Sequence, residues 1–455
     1  MAHIFAPLRR ACGRLGRIAA LCTLVTAIAT GTAEAQRIGF IRDAEIERTL
    51  SRMSDPIFRA AGLRPEAVEI YIVNDRSLNA FVAGGARMFL HTGLLIELES
   101  PEETLGVIAH EAGHIAGGHQ TRRMINLRNA QGPALIALLA GIAAGVAGGG
   151  EAGIALGSGA QGAIQRAILR YNRGEEASAD QAALRYLEAA QIDPEGLYRV
   201  LERFRGQEVF AVGNTDPYIL THPLSTERML LIEREIQEAG NRIYPDRPEQ
   251  DYWYARMRAK LEGFLDRPDR VLNRIEDLPE DEVTLYRKAI ALHRLPAPRE
   301  ALAAMDRLLA LRPGDPFYLE LKGQILHESG RAEAAVPAYR DAVRAAPNEP
   351  LLKAGLGRAL LALDRTDADR EALAVLQEAR AEDRGDTAAL RDLATAYSRA
   401  GDQGMATLAT AERFALQGRT EDAVLMAKRA SAILPRGGPA WLRAQDILAL
   451  DTGDN

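Results

Sequence analysis

The sequence predicts an α+β fold, mostly α: a first half in which a small sheet accompanies long helices, followed by a helical solenoid. Three observations carry this. Short, alternating β-branched segments fall between about Val68 and His91. Apolar residues elsewhere recur at helical spacing. From Tyr244-Pro-Asp-Arg-Pro248 onward strand signals vanish, and Pro313 and Pro347 stand 34 residues apart, each closing a helix pattern. A chain of 455 residues exceeds one compact core and divides into 1–35, 36–245 and 246–455.

Residues 1–35 read as a secretory signal peptide. Arg9, Arg10, Arg14 and Arg17 precede an uncharged run from Ile18 to Thr32, and Ala33-Glu34-Ala35 offers a small-x-small cleavage site before Gln36. The apolar run is short for a membrane span. Both cysteines, Cys12 and Cys22, lie inside this segment, so a processed chain has no disulfide framework. Leu21 stands where a lipoprotein signal needs a small residue before its cysteine. The net charge of −6 becomes more negative once four arginines and Glu34 are removed. No basic patch remains, which excludes nucleic acid as a partner.

Ile41 to Ala61 reads as an amphipathic helix through Ile46, Leu50, Met53, Ile57 and Phe58, expected to pack over the helix of the H-E-x-x-H motif. Val68 to Val73 reads as a strand. Ala80–Val82 and Arg87–His91 read as a hairpin around Gly84-Gly85, with an edge that could pair with an extended peptide. Ser100-Pro101-Glu102-Glu103 then opens a helix with a capping serine, a proline at the first turn and acids at the dipole's positive end.

That helix carries the chemistry. His110, Glu111 and His114 form H-E-x-x-H, and on a helix the two histidines at i and i+4 share one face, spaced to bind a tetrahedral zinc ion. Glu111, one residue round, is placed to act as general base on a water activated by the metal. Solvated surface histidines fit poorly, because Leu105, Val107, Ile108, Ala112 and Ile115 make the segment apolar. A metzincin would have its third histidine at 120, where Gln120 stands beside His119. Downstream, Glu176 and Asp180 lie one helical turn apart in a segment helical from about Glu175 to Ala190. The pair suits one carboxylate on the metal and a second accepting the N–H of a ligating imidazole. His91 reads as a strand residue rather than a ligand.

These stretches resemble the HtpX-like and BepA-like zinc metalloendopeptidases of the gluzincin type. Asn79 to Gly85 running into Thr92-Gly-Leu-Leu95, and Thr221-His-Pro-Leu-Ser-Thr-Glu-Arg228, resemble two further motifs of that family, so the match covers roughly Asp43 to Ile236. The resemblance implies a zincin-like domain holding one zinc ion on His110, His114 and Glu176. Glu111 would be the catalytic base, and Asp180 would orient a ligand from behind. It also places the loop of His222 over the metal, where His222 would stabilise the oxyanion or ligate zinc in a closed form. The plain alternative for His222 is a loop histidine before Pro223.

Between these motifs, Gly132 to Gly162 is a glycine-interrupted apolar segment with one charge, Glu151. Its glycine density suits a mobile cover or a peripheral contact with a membrane better than a span. After Asp193-Pro194 a helix is expected from Gly196 to Phe204.

In the last 210 residues, Tyr318 to Pro350 shows the tetratricopeptide pattern best, with Gly323, Ala335 and Pro347 at its small and breaker positions. Weaker units cover Leu285–Pro313, Leu351–Asp383 and Met405–Pro435. Such arrays bind extended or helical partners, and Tyr339, Tyr397 and Trp441 are expected in their core. The periplasmic branch of the resembled family implies location in the periplasm, misfolded or misassembled proteins as substrates, and contact with outer-membrane protein assembly machinery. Two other readings are a scaffold or chaperone with a latched protease site and a membrane-spanning protease. The latter needs spans from 18–32 and 133–160.

Overall fold

The computed structural model describes residues 39–119, 122, 173–205, 222, 225–240 and 242–452. The expected signal peptide, the 132–162 segment, both supposed spans, and Thr221 and Pro223 beside His222 lie outside these residues.

A two-residue strand β1 (Phe40–Ile41) precedes helix α1 (Ala44–Ala60), which is capped by Asp43 accepting from the Ile46 amide. The sequence pattern began this helix three residues earlier, inside β1, and ended it one residue later. Ile46, Leu50, Met53, Ile57 and Phe58 are all buried on one face of α1. Strands β2 (Glu69–Val73), β3 (Ala80–Ala83) and β4 (Arg87–His91) complete a sheet of order β1-β2-β4-β3. β3 and β4 form the expected antiparallel hairpin, pairing Ala80 with Leu90 and Val82 with Met88. Gly84 and Gly85 make its turn at φ of 59° and 99°, a region side chains disfavour. β2 runs parallel to β4. Tyr71, Phe89 and Phe81 stack across the sheet while Ile72, Val82, Met88 and Leu90 face the core.

A short helix α2 (Thr92–Glu97) follows, in a stretch to which the sequence pattern assigned no element. Gly93 permits it, since a Cβ there would sit 2.1 Å from the Arg76 carbonyl oxygen. Helix α3 (Pro101–Ala116) starts as its cap predicts, with Ser100 accepting from the Glu103 amide. α1, α4 (173–189), α5 (Glu195–Arg203), α6 (Thr226–Ala239) and α7 (Pro248–Leu265) share its core. Gly106 lets α5 approach closely, a Cβ there lying 2.7 Å from Leu197 Cα.

Helix α7 joins the two halves. Tyr254, Met257 and Leu261 belong to the core of the first half, while Ala259 belongs to the next cluster, with Tyr286 and Tyr318. On the same helix the buried Arg256 donates to Glu45 Oε1 at 2.7 Å and to Asp315 Oδ2 at 2.7 Å, its guanidinium 3.9 Å from the Tyr318 ring centre. Fully partnered in this way, the buried charge ties α1 to the repeats.

The repeats continue as antiparallel helices from α8 (Pro268–Ile275) through α9 (Glu282–His293), α10 (Pro298–Leu311), α11 (Pro316–Glu328), α12 (Ala332–Ala345), α13 (Pro350–Leu361), α14 (Thr366–Glu382), α15 (Thr387–Arg399), α16 (Gln403–Leu416) and α17 (Thr420–Ile433) to α18 (Pro439–Leu448). α10 and α12 end just before Pro313 and Pro347, as the 34-residue spacing requires. Tyr339 is buried between α11 and α13, where a Cβ on Gly323 or Gly355 would lie 2.7 or 2.6 Å from its ring. One glycine of this repeat and one of the next form the socket for its aromatic ring. Tyr397 is also buried, and Trp441 packs partly buried on the last cluster.

Candidate metal centre

Helical periodicity puts His110 and His114 on one face of α3, and α4 brings Glu176 to meet them. Gly113 makes this approach possible: a Cβ there would stand 2.9 Å from the Ala179 carbonyl oxygen on α4. His222 completes a group of four, each offering one ligand atom within 4.8 Å of the others, and all four side chains are buried. His110 Nε2 and His114 Nε2 are 3.1 Å apart. Glu176 Oε2 lies 3.3 Å from His110 Nε2, and its Oε1 3.3 Å from His114 Nε2. His222 Nδ1 is 3.2 Å from His110 Nε2 and 3.1 Å from Glu176 Oε2.

These separations suit a metal. Bonds of about 2.0–2.1 Å to a tetrahedral zinc imply ligand-to-ligand distances of roughly 3.3 Å. Two imidazole nitrogens facing each other across 3.1 Å either hold one proton between them or leave two lone pairs opposed, an opposition that a bound cation relieves. The donor set of three imidazoles and a carboxylate is one that zinc accepts.

Outer contacts orient these groups. His110 Nδ1 lies 2.9 Å from Asp180 Oδ1, which keeps the proton on Nδ1 and turns the Nε2 lone pair into the cluster. Arg228, buried on α6, donates Nε to Asp180 Oδ2 at 2.6 Å and places Nη1 3.2 Å from Glu176 Oε2. His119 Nδ1 lies 2.8 Å from His114 Nδ1. The histidine that misses the metzincin position is therefore a neighbour of the cluster rather than a member of it.

The electrostatics favour positive charge. Burial pushes the Asp180 carboxyl up, but Arg228 and His110 outweigh it and hold it at about 2. Burial likewise opposes ionisation of Glu176, and the surrounding imidazoles keep it far below the usual carboxylate range. Burial pulls His110 down, yet Asp180 and Glu176 together raise it to about 10. Such a pocket retains a cation, whether a proton on imidazole or a divalent ion.

Glu111 sits beside the cluster. Both its carboxylate oxygens are buried without a hydrogen bond among the described residues, and Oε1 lies 3.3 Å from His222 Nε2. An orphaned carboxylate is costly in a folded core and is expected where it must accept a proton. His222 Nε2 is also 3.2 Å from the Ala80 carbonyl oxygen on β3, so the sheet edge and the metal group meet at this ring. His91 stays apart at the end of β4, its Nδ1 2.8 Å from Ser77 Oγ.

All six residues singled out from sequence thus converge: His110, His114, Glu176 and His222 as possible ligands, Glu111 beside them and Asp180 behind. Arg228 was missed as a functional residue. Its signal was a position six residues after His222 in the Thr221–Arg228 stretch, and a lone arginine gives no sign that it will be buried.

Residues 41–236 match the model of Peptidase family M48, and residues 284–437 match a Tetratricopeptide repeat model. The chain is similar to the "Beta-barrel assembly-enhancing protease" of Yersinia pestis, 26% identical over 64% of this chain and 60% of that protein, less than two thirds of its length. It is also similar to the protein of the same name from Escherichia coli (strain K12), 24% identical over 81% of this chain and 75% of the relative. A solved structure, "MamA MSR-1 C2", is 19% identical with a TM-score of 0.31, covering 37% of this chain and 97% of the other.

Proposed function

We propose that this chain, a metalloendopeptidase of family M48 through residues 41–236 with tetratricopeptide repeats behind it, is a zinc-dependent enzyme of the periplasm. It would degrade misfolded or misassembled proteins in the quality control of outer-membrane proteins. The observation that carries the hydrolytic reading is the buried Glu111 carboxylate, without a hydrogen bond among the described residues and 3.3 Å from His222 Nε2, beside a buried His–His–Glu–His group. His110, His114 and Glu176 would hold the ion, which when bound supplies Lewis acidity to the scissile carbonyl and to the attacking water. Glu111 takes the proton from that water and returns it to the leaving amine. Asp180 and Arg228 fix the ligands in orientation and charge.

His222 occupies the fourth corner of the group, the place a substrate carbonyl or water needs. In this arrangement it acts as a latch, and opening moves it aside. The name borne by the relatives supports a link to β-barrel assembly, and the repeats supply the surface for such a partner. Among the described residues no helix is long and apolar enough to cross a membrane. A scaffold whose protease site stays latched is the second reading, favoured by the same His222 position.

The test is metal content and cleavage of an unfolded protein by the purified chain. About one zinc per chain, cleavage abolished by a chelator, and a loss of roughly a hundred- to ten-thousandfold in Glu111→Gln support the enzyme. Partner retention by Glu111→Gln with no cleavage by the unaltered protein supports the scaffold.

A further inference from the structure

A cavity of about 290 Å³ lies in the second half of the repeats, between α14, α15, α16 and α18. Three guanidiniums line it: Arg380 on α14, Arg384 just past the end of that helix and Arg443 on α18. They face one carboxylate, Glu412 on α16, which is shared. Arg380 Nη2 donates to its Oε2 at 3.1 Å, and Arg443 Nη1 lies 3.1 Å from its Oε1. Arg384 makes no hydrogen bond or ion pair among the described residues. The cavity therefore holds an excess of positive charge.

Arg380 sharpens the imbalance. Its side chain is 17% exposed, and its Nε and Nη1 are buried without an acceptor. A desolvated guanidinium with one half-shared partner is costly unless a further anion comes near. Because those two nitrogens are shut in, a ligand meets Arg380 through its charge and meets Arg384 and Arg443 through hydrogen bonds. Met405, half-buried, and Ala381, exposed, supply an apolar wall beside the guanidiniums. A carboxylate carrying an aliphatic neighbour satisfies both halves. A phosphate dianion would bring a second negative charge against Glu412 and leave the apolar wall uncovered.

We propose that this cavity binds an acidic side chain of an extended peptide, with the apolar side chain that follows it lying against Met405 and Ala381. The proposal rests on the repeats being the recognition half of the molecule and is independent of hydrolysis at the metal centre. Its occupant is a glutamate or aspartate inside a partner or substrate chain, not a chain terminus.

The experiment is fluorescence anisotropy of a labelled, end-blocked peptide, Gly-Ser-Glu-Leu-Ser-Gly, titrated with full-length Glu111→Gln protein so that the probe stays whole. Saturable binding is expected, tightening as salt is lowered. It is expected to weaken about tenfold in Arg384→Met and in Arg443→Met, and to vanish when the peptide's glutamate is replaced by glutamine. Arg384 is exposed and unpaired, so its variant should melt with the parent, which separates lost recognition from lost folding. Equal binding of the glutamine peptide, undiminished binding by both arginine variants, or preference for a peptide whose only carboxylate is its C-terminus would overturn the proposal. Missing proteolysis in the unaltered protein would sink the enzymatic reading and leave this one standing; missing peptide binding does the reverse.

Discussion

Arg228 grips Asp180 with two parallel hydrogen bonds, Nε to Oδ2 at 2.6 Å and Nη2 to Oδ1 at 2.8 Å, at a point where both side chains are buried. Asp180 in turn orients His110, and the third guanidinium nitrogen faces Glu176. One cation thus touches both carboxylates that serve the metal cluster and holds the charge of Asp180. Arg228→Met should lower zinc affinity by about 10–100-fold, measured by competition with a chromophoric chelator. Arg228→Lys should not restore it, because an ammonium cannot reproduce the fork. Unchanged affinity in both variants would remove Arg228 from the site.

Gly113 tests whether the cluster depends on how closely α3 and α4 approach. A Cβ at this position would meet Ala179 O at 2.9 Å and Ala179 Cα at 3.0 Å, and both are backbone atoms that yield only if α4 moves. Gly113→Ala should carry Glu176 away from the histidines. Zinc affinity should fall at least several-fold, and thermal stability by about 1–3 kcal/mol, the usual cost of overpacking. A variant that melts lower yet binds zinc as before would show that α4 can shift without disturbing the ligands.

His222→Ala distinguishes a latch from a catalytic aid. With the fourth corner of the group vacated, basal cleavage of an unfolded protein should rise several-fold while zinc content is retained on His110, His114 and Glu176. A fall of about a hundredfold or more would instead assign His222 to the oxyanion. Unchanged turnover would deny it both roles.

The junction of the two halves should respond to pH through Glu320. Lys260 Nζ lies 2.7 Å from Asp43 Oδ2, 3.4 Å from Glu45 Oε2 and 3.5 Å from Glu320 Oε2, so three carboxylates crowd one ammonium. Burial and the facing acids push Glu320 up to about 7 from its ordinary 4.5, against the pull of Lys260. Between those two values the unfolded chain has released this proton while the folded chain keeps it, so stability falls as pH rises across the window. Glu320→Gln should flatten that slope and raise the melting temperature above pH 7 by a few degrees. A variant that melts below the parent at pH 8 would show the ionised carboxylate to be stabilising.

Much of the fold was legible because local chemistry dictated it. Ser100 and Pro101 start α3, Gly84 and Gly85 close the hairpin, and the 34-residue spacing places the ends of α10 and α12. β1 and α2 were not legible. A two-residue strand has no periodicity to detect, and α2 exists because Gly93 fits under the Arg76 carbonyl, a contact across 17 residues.

What the sequence by itself determined is the chemistry offered: two imidazoles and a base locked to one helical face by a four-residue period, and a carboxylate pair locked to another. What the tertiary structure alone decided is how those offers combine. It set Glu176 between the histidines through the small surface at Gly113, buried Arg228 behind Asp180, and placed His222 in the fourth corner. Spacing along a chain fixes neighbours within one helix. The charge and solvation that make a group a ligand, an orienting acid or a latch arise only when separate elements exclude water together.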